Sequence, residues 1–326
     1  MVNGEYNTMN SYLKLIKKRV IRFNSNIKCF IGGRYLLTWI DEIFSFLAFG
    51  ASPDDYFRYE FYKKSWYERN KFITYRRSKK LINKYSFSDA DAVKMFNDKA
   101  AMNLFFKDYI KREWLDLDVC SDKDFSMFVE KYERVIMKPK GGSGGRGIFI
   151  LNRNEMPKTT KEYSGYIAEQ ILVQHPELSK LNNSSVNTLR VMTFKSKVIS
   201  CVLKVGRGNA VVDNMCSDGM YGNVNLKYGI TDSVFLDIGL NRYYFHPYSG
   251  EKLCGIKIPY WDKIVEYVEE TAKKLPTMEY LGWDIAILPD GPAVIEANEA
   301  PGHDLSCQST AQVGLYDKIK ELAGQK

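Results

Sequence analysis

The run Lys138-Pro-Lys-Gly-Gly-Ser-Gly-Gly-Arg-Gly147 sets five glycines among three cationic side chains. Glycine lets backbone N–H groups approach an anion where any Cβ would clash. Gly142, Ser143, Gly144, Gly145 and Gly147 are therefore candidates for cradling phosphate, with Lys138 supplying charge. A Walker A loop is excluded because no Gly-Lys-Ser/Thr closes the run. Gly142, Gly144 and Gly147 satisfy G-x-G-x-x-G, but a dinucleotide site needs a helix next, and Ile148-Phe-Ile-Leu151 reads as a strand. A protein-kinase loop does lie between strands, yet neither H-R-D-x-x-x-x-N nor D-F-G follows. What remains is a glycine hairpin with a lysine ending its first strand, or a bare turn. The loop alone fixes no enzyme class.

A second group lies near the C-terminus. Gly282-Trp-Asp284-Ile-Ala-Ile-Leu reads as a strand beginning at an acidic residue, Pro289-Asp290-Gly291 as a turn, and Val294-Ile-Glu296-Ala-Asn298-Glu299 as the returning strand. Such a hairpin sets Asp284 across from the neighbourhood of Glu296 and Asn298, which share a face by the period of two. Three oxygen donors suit magnesium, which takes hard ligands and completes its shell with water and substrate phosphate. The alternative is a solvated strand face. Apolar Ile285, Ile287, Val294, Ile295 and Ala297 favour a half-buried sheet, where neighbouring carboxylates repel without a cation.

The elements that must position these groups are mixed α and β. Tyr6 to Lys84 has helix-like spacing and few breaks, with Tyr56, Phe57, Tyr59, Phe61, Tyr62, Trp66 and Tyr67 expected to pack inside. Ser88-Asp-Ala-Asp91 starts a helix, and Asn97-Asp98-Lys99 starts another. Arg134 to Lys138, Tyr166 to Val173, Thr188 to Phe194 and Val198 to Val205 read as strands, Tyr260 to Leu275 and Leu315 to Leu322 as helices.

Apolar residues at 45% and charged residues at 26%, without low-complexity tracts, exclude a disordered or fibrous chain. The formal charge of +8 suits polyanionic ligands or acidic membrane surfaces, and the basic residues read as scattered. Nucleic acid is not expected, since zinc-finger spacing, an RNP motif and a basic helix are all absent. Six cysteines without a C-x-x-C pair point to a reducing cytoplasm. Tyr35 to Ala51 is the most membrane-like stretch, but Asp41 and Glu42 interrupt it and it falls short of a span; a buried amphipathic helix is the expectation, with contact to a membrane surface or a partner as the alternative.

Asn97-Asp98-Lys99, Lys138 before the glycine hairpin, Ala168-Glu169-Gln170-Ile171-Leu172, Asn187-Thr-Leu-Arg190, Gly282-Trp-Asp284 and Glu296-Ala-Asn298-Glu-Ala-Pro-Gly302 resemble the ATP-grasp superfamily in order and spacing. The match covers roughly residues 90 to 310, and is most similar to the sugar-transfer-associated ATP-grasp proteins found with bacterial surface-polysaccharide genes. This resemblance implies an α+β ATP-grasp fold, two α+β lobes gripping ATP: an N-terminal lobe with the glycine lid over 91–165 and a C-terminal lobe with the metal site over 166–326, while the region 1–90 reads as helical and departs from the Rossmann-like lobe with which such ligases normally begin. It implies Lys99 and Lys138 on the phosphates of ATP, residues 141–147 as a lid, and Glu169 with Gln170, Ile171 and Leu172 near adenine. Glu177 is the candidate for the ribose. Arg190, Lys204 and Arg207, the last two expected on the strand after Arg190, would face the transferred phosphoryl group. Asp284, Glu296 and Asn298 would hold Mg2+, and Asp213 and Asn214 would order a substrate loop. The implied reaction joins a carboxylate to an amine through an acyl phosphate, with carboxylated sugars or other glycan building blocks as substrates. The cysteines place the chain in the cytoplasm, with association at the inner face of the membrane or in a glycan-assembly complex left open. The rival readings are a phosphotransferase acting on a hydroxyl and a non-catalytic nucleotide-binding component of such a complex.

Overall fold

A computed structural model describes residues 2–87, 89–142, 144–157, 159–208, 213 and 219–324, with residues 2–16 described by their backbone alone. The chain divides into two compact units, Met1–Lys79 and Lys80–Lys326.

The first unit is helical: α1 (Val2–Ile31), α2 (Tyr35–Phe49), α3 (Pro53–Arg58) and α4 (Trp66–Arg69), with α5 (Tyr75–Tyr85) beginning at its end. Capping boxes at Ser52/Asp55 and Ser65/Glu68 satisfy the orphan N–H groups that open α3 and α4. The core is aromatic, with Phe23, Tyr56, Phe57, Tyr59, Phe61 and Phe72 buried. Trp66 and Tyr67 depart from the packing expectation and stand exposed. So does α2, which is built inside out. It buries Thr38, Glu42 and Ser45, while Leu36, Leu37, Ile40, Ile43, Phe44 and Leu47 face outward. The polar side holds because Arg69 binds Asp41 at 2.6 Å and Ser45 at 2.9 Å, and Tyr56 donates to Asp41.

In the second unit α6 (Ala90–Phe96) and α7 (Lys99–Phe105) open on Asp89 and Asp98, whose carboxylates accept the first free N–H groups. A four-stranded antiparallel sheet follows, built from β1 (Trp114–Asp116), β2 (Arg134–Pro139), β3 (Phe149–Asn152) and β4 (Tyr166–Gln170), in the order β1-β4-β2-β3. Its Val135, Met137 and Leu151 pack with Phe125, Phe128 and Val129 of α8 (Asp122–Tyr132). By the period of two, Ile136, Lys138, Ile150 and Glu169 turn to the opposite face.

The larger antiparallel sheet holds β5 (Thr188–Phe194), β6 (Lys197–Val205), β7 (Met220–Asn225), β8 (Ile230–Thr231), β9 (Phe235–Leu236), β10 (Arg242–Tyr243), β11 (Tyr280–Leu288) and β12 (Gly291–Asn298). Its order is β10-β9-β7-β6-β5-β11-β12, with β8 on β7. Leu189, Val191, Leu203, Trp283, Ile285 and Ile287 share a core with Trp261, Ile264 and Val268 of α10 (Trp261–Lys273). A four-residue helix α9 (Pro176–Ser179) precedes this sheet, and α11 (Cys307–Thr310) and α12 (Tyr316–Leu322) follow it.

Two strand limits differ from the sequence reading. The segment from Tyr166 leaves its sheet at Gln170, one residue beyond the pairing of Glu169 with Trp114, so Ile171 to Val173 have no ladder to join. β11 starts at Tyr280 rather than beside Asp284, which places Asp284 in mid-strand and buries it. Among the described residues no helix is long and apolar enough to cross a membrane.

Candidate active site

The glycine run joins β2 to β3, paired from Arg134 opposite Asn152 to Met137 opposite Phe149. Its turn needs glycine for conformation: Gly142, Gly144, Gly145 and Gly147 all have φ between 72° and 95°. At Gly147 a Cβ would also stand 3.0 Å from the ring of Pro139. Lys99, the first residue of α7, donates from Nζ to the Gly142 carbonyl at 2.8 Å, while its N–H bonds Lys140 O at 2.9 Å. Lys140 itself is taken up by Asp116 and Asp118. Ser143 lies outside the described residues.

A cavity of about 340 Å³ lies in this unit. Ile136, Ile148, Ile150, Leu172, Val186 and Ile295 give it apolar walls, and Gln170, Ile171 and Gln174 line it beside them. Its charged lining comprises Lys99, Arg112, Lys138, Glu169, Lys204, Asp213, Asp284 and Glu296. Apolar walls with a few convergent polar groups are the usual make-up of a small-molecule site.

Two buried charge clusters meet the cavity. In the first, Glu169 receives Lys138 Nζ at 2.6 Å, Arg112 Nε at 2.9 Å and Asn103 Nδ2 at 2.7 Å. Burial opposes ionisation of Glu169, but the charges of Arg112 and Lys138 outweigh it and hold the carboxyl far below the usual range. The Glu169 side chain is thus committed to two cations.

In the second, Asp284 lies opposite Arg190 on β5 and opposite Glu296 on β12. Lys204 Nζ stands 3.2 Å from Asp284 Oδ1 and 3.3 Å from Asp213 Oδ1, and Arg190 Nε is 3.4 Å from Asp284. Burial disfavours the Asp284 charge, yet Arg190 and Lys204 hold its carboxyl below the ordinary value. Burial pushes the Asp213 carboxyl up despite Lys204 and Thr188. Arg190 Nη1 is buried without a hydrogen-bond partner among the described residues, a donor left for an acceptor from outside.

The three candidate metal ligands lie on paired strands, with Glu296 opposite Asp284 and Asn298 opposite Gly282. A bulge at Ile295 breaks the alternation, so Ile295 and Glu296 both line the cavity. Asn298 Nδ2 is buried and unpartnered among the described residues. Within them no group of three or more His, Cys, Asp and Glu side chains can hold an ion. Two carboxylates and an amide fit magnesium with water and phosphate completing its shell. One step of the sequence reading is corrected here: Asp284 is already neutralised by Arg190 and Lys204, so carboxylate repulsion does not by itself demand a metal.

Arg190, Asn298 and the turn glycines Gly142, Gly144, Gly145 and Gly147 do not themselves line the cavity, and two further candidates are held elsewhere. Arg207 lies beyond the end of β6 at Val205, where it donates to Tyr243 Oη at 2.6 Å and faces Asp237. Glu177 sits exposed on α9, paired with Lys180, and lines a separate surface hollow. The bend at His175-Pro176, where His175 N bonds Ile287 O, turns it away. Asn214 lies outside the described residues.

Sequence reading missed Arg112 and Asn103. Arg112 joins Glu169 to the carbonyls of Val294, at 2.7 Å, and Ile295, at 3.1 Å, and so ties the small sheet to the bulge of the large one. It stands in Lys-Arg-Glu with no motif around it, and nothing in the local sequence sets it apart from a surface arginine.

Among curated proteins none matches the chain. Of experimental structures, ATP-grasp ligase PsnB, complexed with a phosphomimetic variant of its minimal precursor, Mg and ADP, is similar over 73% of this chain at 13% identity and a TM-score of 0.46. The chain spans 60% of that structure's length. D-alanine–D-alanine ligase from Bacillus anthracis is similar over 76% of this chain and 70% of its own, at 14% identity and a TM-score of 0.42. A RimK domain ATP-grasp protein from Sphaerobacter thermophilus is similar over 71% and 69%, at 10% identity and a TM-score of 0.41. The model of the sugar-transfer-associated ATP-grasp family matches residues 77–323. With that match over most of its length, the chain belongs to the sugar-transfer-associated ATP-grasp family and has the ATP-grasp fold.

Proposed function

We propose that the protein is an ATP-dependent carboxylate–amine ligase, working in the cytoplasm on a carboxylated sugar or related glycan building block of a surface polysaccharide. The observation that carries this reading is one cavity with isoleucine walls for a base and two buried clusters of lysine, arginine and carboxylate for phosphates and metal.

Adenine lies against Ile136, Ile150 and Leu172, and the phosphates meet Lys99 and Lys138 under the glycine turn. Asp284, Glu296 and Asn298 would hold magnesium, which when bound would neutralise phosphate charge. The substrate carboxylate attacks the γ-phosphorus, and the bond to ADP oxygen breaks. The amine then attacks the acyl carbon, phosphate leaves, and the amine's proton passes to solvent. The products are an amide, ADP and phosphate. Arg190 and Lys204 stabilise the transferred phosphoryl group, since such transfers need positioning and charge neutralisation more than a protein nucleophile.

Product analysis by mass spectrometry tests this, using ATP, magnesium and paired panels of carboxylated sugars and amino acids. The expected product weighs acid plus amine less water, formed with one ADP and one phosphate. A stable phosphoester made without the amine would assign a phosphotransferase instead.

A further inference from the structure

The charge of this chain is not scattered. Residues 1–79 hold 15 Lys and Arg against 7 Asp and Glu, while residues 80–326 hold 32 of each. The entire surplus of +8 therefore belongs to the helical unit. That unit also carries the outward apolar face of α2, where Leu36, Leu37, Ile40, Ile43, Phe44 and Leu47 form one stripe at helical spacing. All six are between 43% and 73% exposed. The acidic residues of α2 are turned away, Glu42 buried and Asp41 bound to Arg69 and Tyr56.

Cations stand at both ends of the stripe. Exposed Arg34 precedes α2, and near the other end the Arg76 guanidinium lies 4.6 Å from the ring centre of Phe46, with exposed Lys79 one turn further along α5. A contiguous apolar patch of this kind marks a partner or a membrane. A second copy is disfavoured, because pairing two such faces would bring together two units each of charge +8.

We propose that α2 lies flat in the surface of an anionic lipid bilayer. Its Leu36 to Leu47 face enters the acyl boundary, and Arg34, Arg76 and Lys79 meet lipid phosphates. A helix with an apolar stripe and flanking cations binds in this way without spanning, and its attraction to anionic lipid weakens with salt. The attachment stands on the helical unit alone and is independent of the ligase reading.

Sedimentation of the full chain with vesicles tests it. Binding to vesicles of phosphatidylcholine with about one third phosphatidylglycerol is expected to exceed binding to pure phosphatidylcholine at least tenfold. The variant Leu36→Ser/Ile40→Ser/Phe44→Ser/Leu47→Ser alters only exposed side chains and is expected to lose that binding at least tenfold. Arg34→Glu/Lys79→Glu, which alters only exposed side chains, is expected to lose the preference for anionic lipid. Equal sedimentation of wild type and the charge-reversed variant, or no sedimentation of wild type, overturns the proposal. So does a dimer, measured by light scattering, that the serine variant abolishes while vesicles remain unbound.

Discussion

Lys138 Nζ lies 2.6 Å from Glu169 Oε2, and the two residues sit on neighbouring strands of the small sheet with both side chains nearly buried. Lys138, proposed to face phosphate, therefore does not reach the cavity alone; a carboxylate that also holds Arg112 fixes its position. Glu169→Gln strands two buried cations. Removing one partner of such a buried set costs about 3–5 kcal/mol, which at about 2–4 °C per kcal/mol lowers Tm by roughly 6 °C or more. Calorimetry checks this, and an unchanged Tm would show that Lys138 and Arg112 find other partners.

Arg112 bridges Glu169 and the Ile295 bulge that aims Glu296 at the cavity. Arg112→Lys keeps the charge but not the planar fork that serves both sheets at once. It is expected to weaken Mg·ATP binding by about tenfold, roughly 1.4 kcal/mol, while the far-UV circular dichroism stays that of the wild type. Wild-type affinity in this variant would reduce Arg112 to a source of charge.

Lys204 and Arg207 lie three residues apart and are expected to behave differently. Lys204→Met leaves Asp213 and Asp284 facing each other without their shared cation, and both stability and turnover should collapse, the former by about 3–5 kcal/mol. Arg207→Met removes bonds to Tyr243 and Asp237 outside the cavity. It should cost about 1–3 kcal/mol of stability and leave ATP affinity within about threefold, roughly 0.7 kcal/mol. Titration calorimetry on both variants separates the two roles.

The buried side of α2 gives a pH dependence with a definite sign. Burial pushes the Glu42 carboxyl up to about 7 from 4.5. Its folded pKa is raised, so the stability it carries is full below pH 4.5 and is lost as pH rises through 7. Glu42→Gln removes that loss. Discounted for partial solvent screening, the variant should be more stable than wild type by about 1–2 kcal/mol at pH 8, and by little at pH 5. Equal Tm differences at the two pH values would place the Glu42 carboxylate in a solvated setting.

The antiparallel hairpins that carry the candidate residues were legible in the sequence, because glycines at positive φ and period-2 alternation are local properties of Gly142 to Gly147 and of Asp284 to Asn298. It could not carry what depends on the chain meeting itself. Arg112 finds Glu169 across 57 residues and Val294 across 182, and no spacing rule joins them. Glu177 follows the expected adenine segment, Glu169 to Leu172, closely in sequence, but the turn at Pro176 sends it elsewhere. Helix α2 has the composition of a core element, and only the Asp41, Arg69 and Tyr56 contacts decide that its polar side faces inward.

Equilibrium binding of ATP, titrated with and without magnesium, tests the nucleotide and metal site most directly. Wild type is expected to bind ATP more tightly with magnesium, Lys138→Met to lose at least tenfold of that affinity, and Glu296→Gln/Asn298→Ala to lose the magnesium dependence. Failure of the wild type to bind Mg·ATP at millimolar concentration, or a magnesium dependence that survives Glu296→Gln/Asn298→Ala, would contradict the assignment.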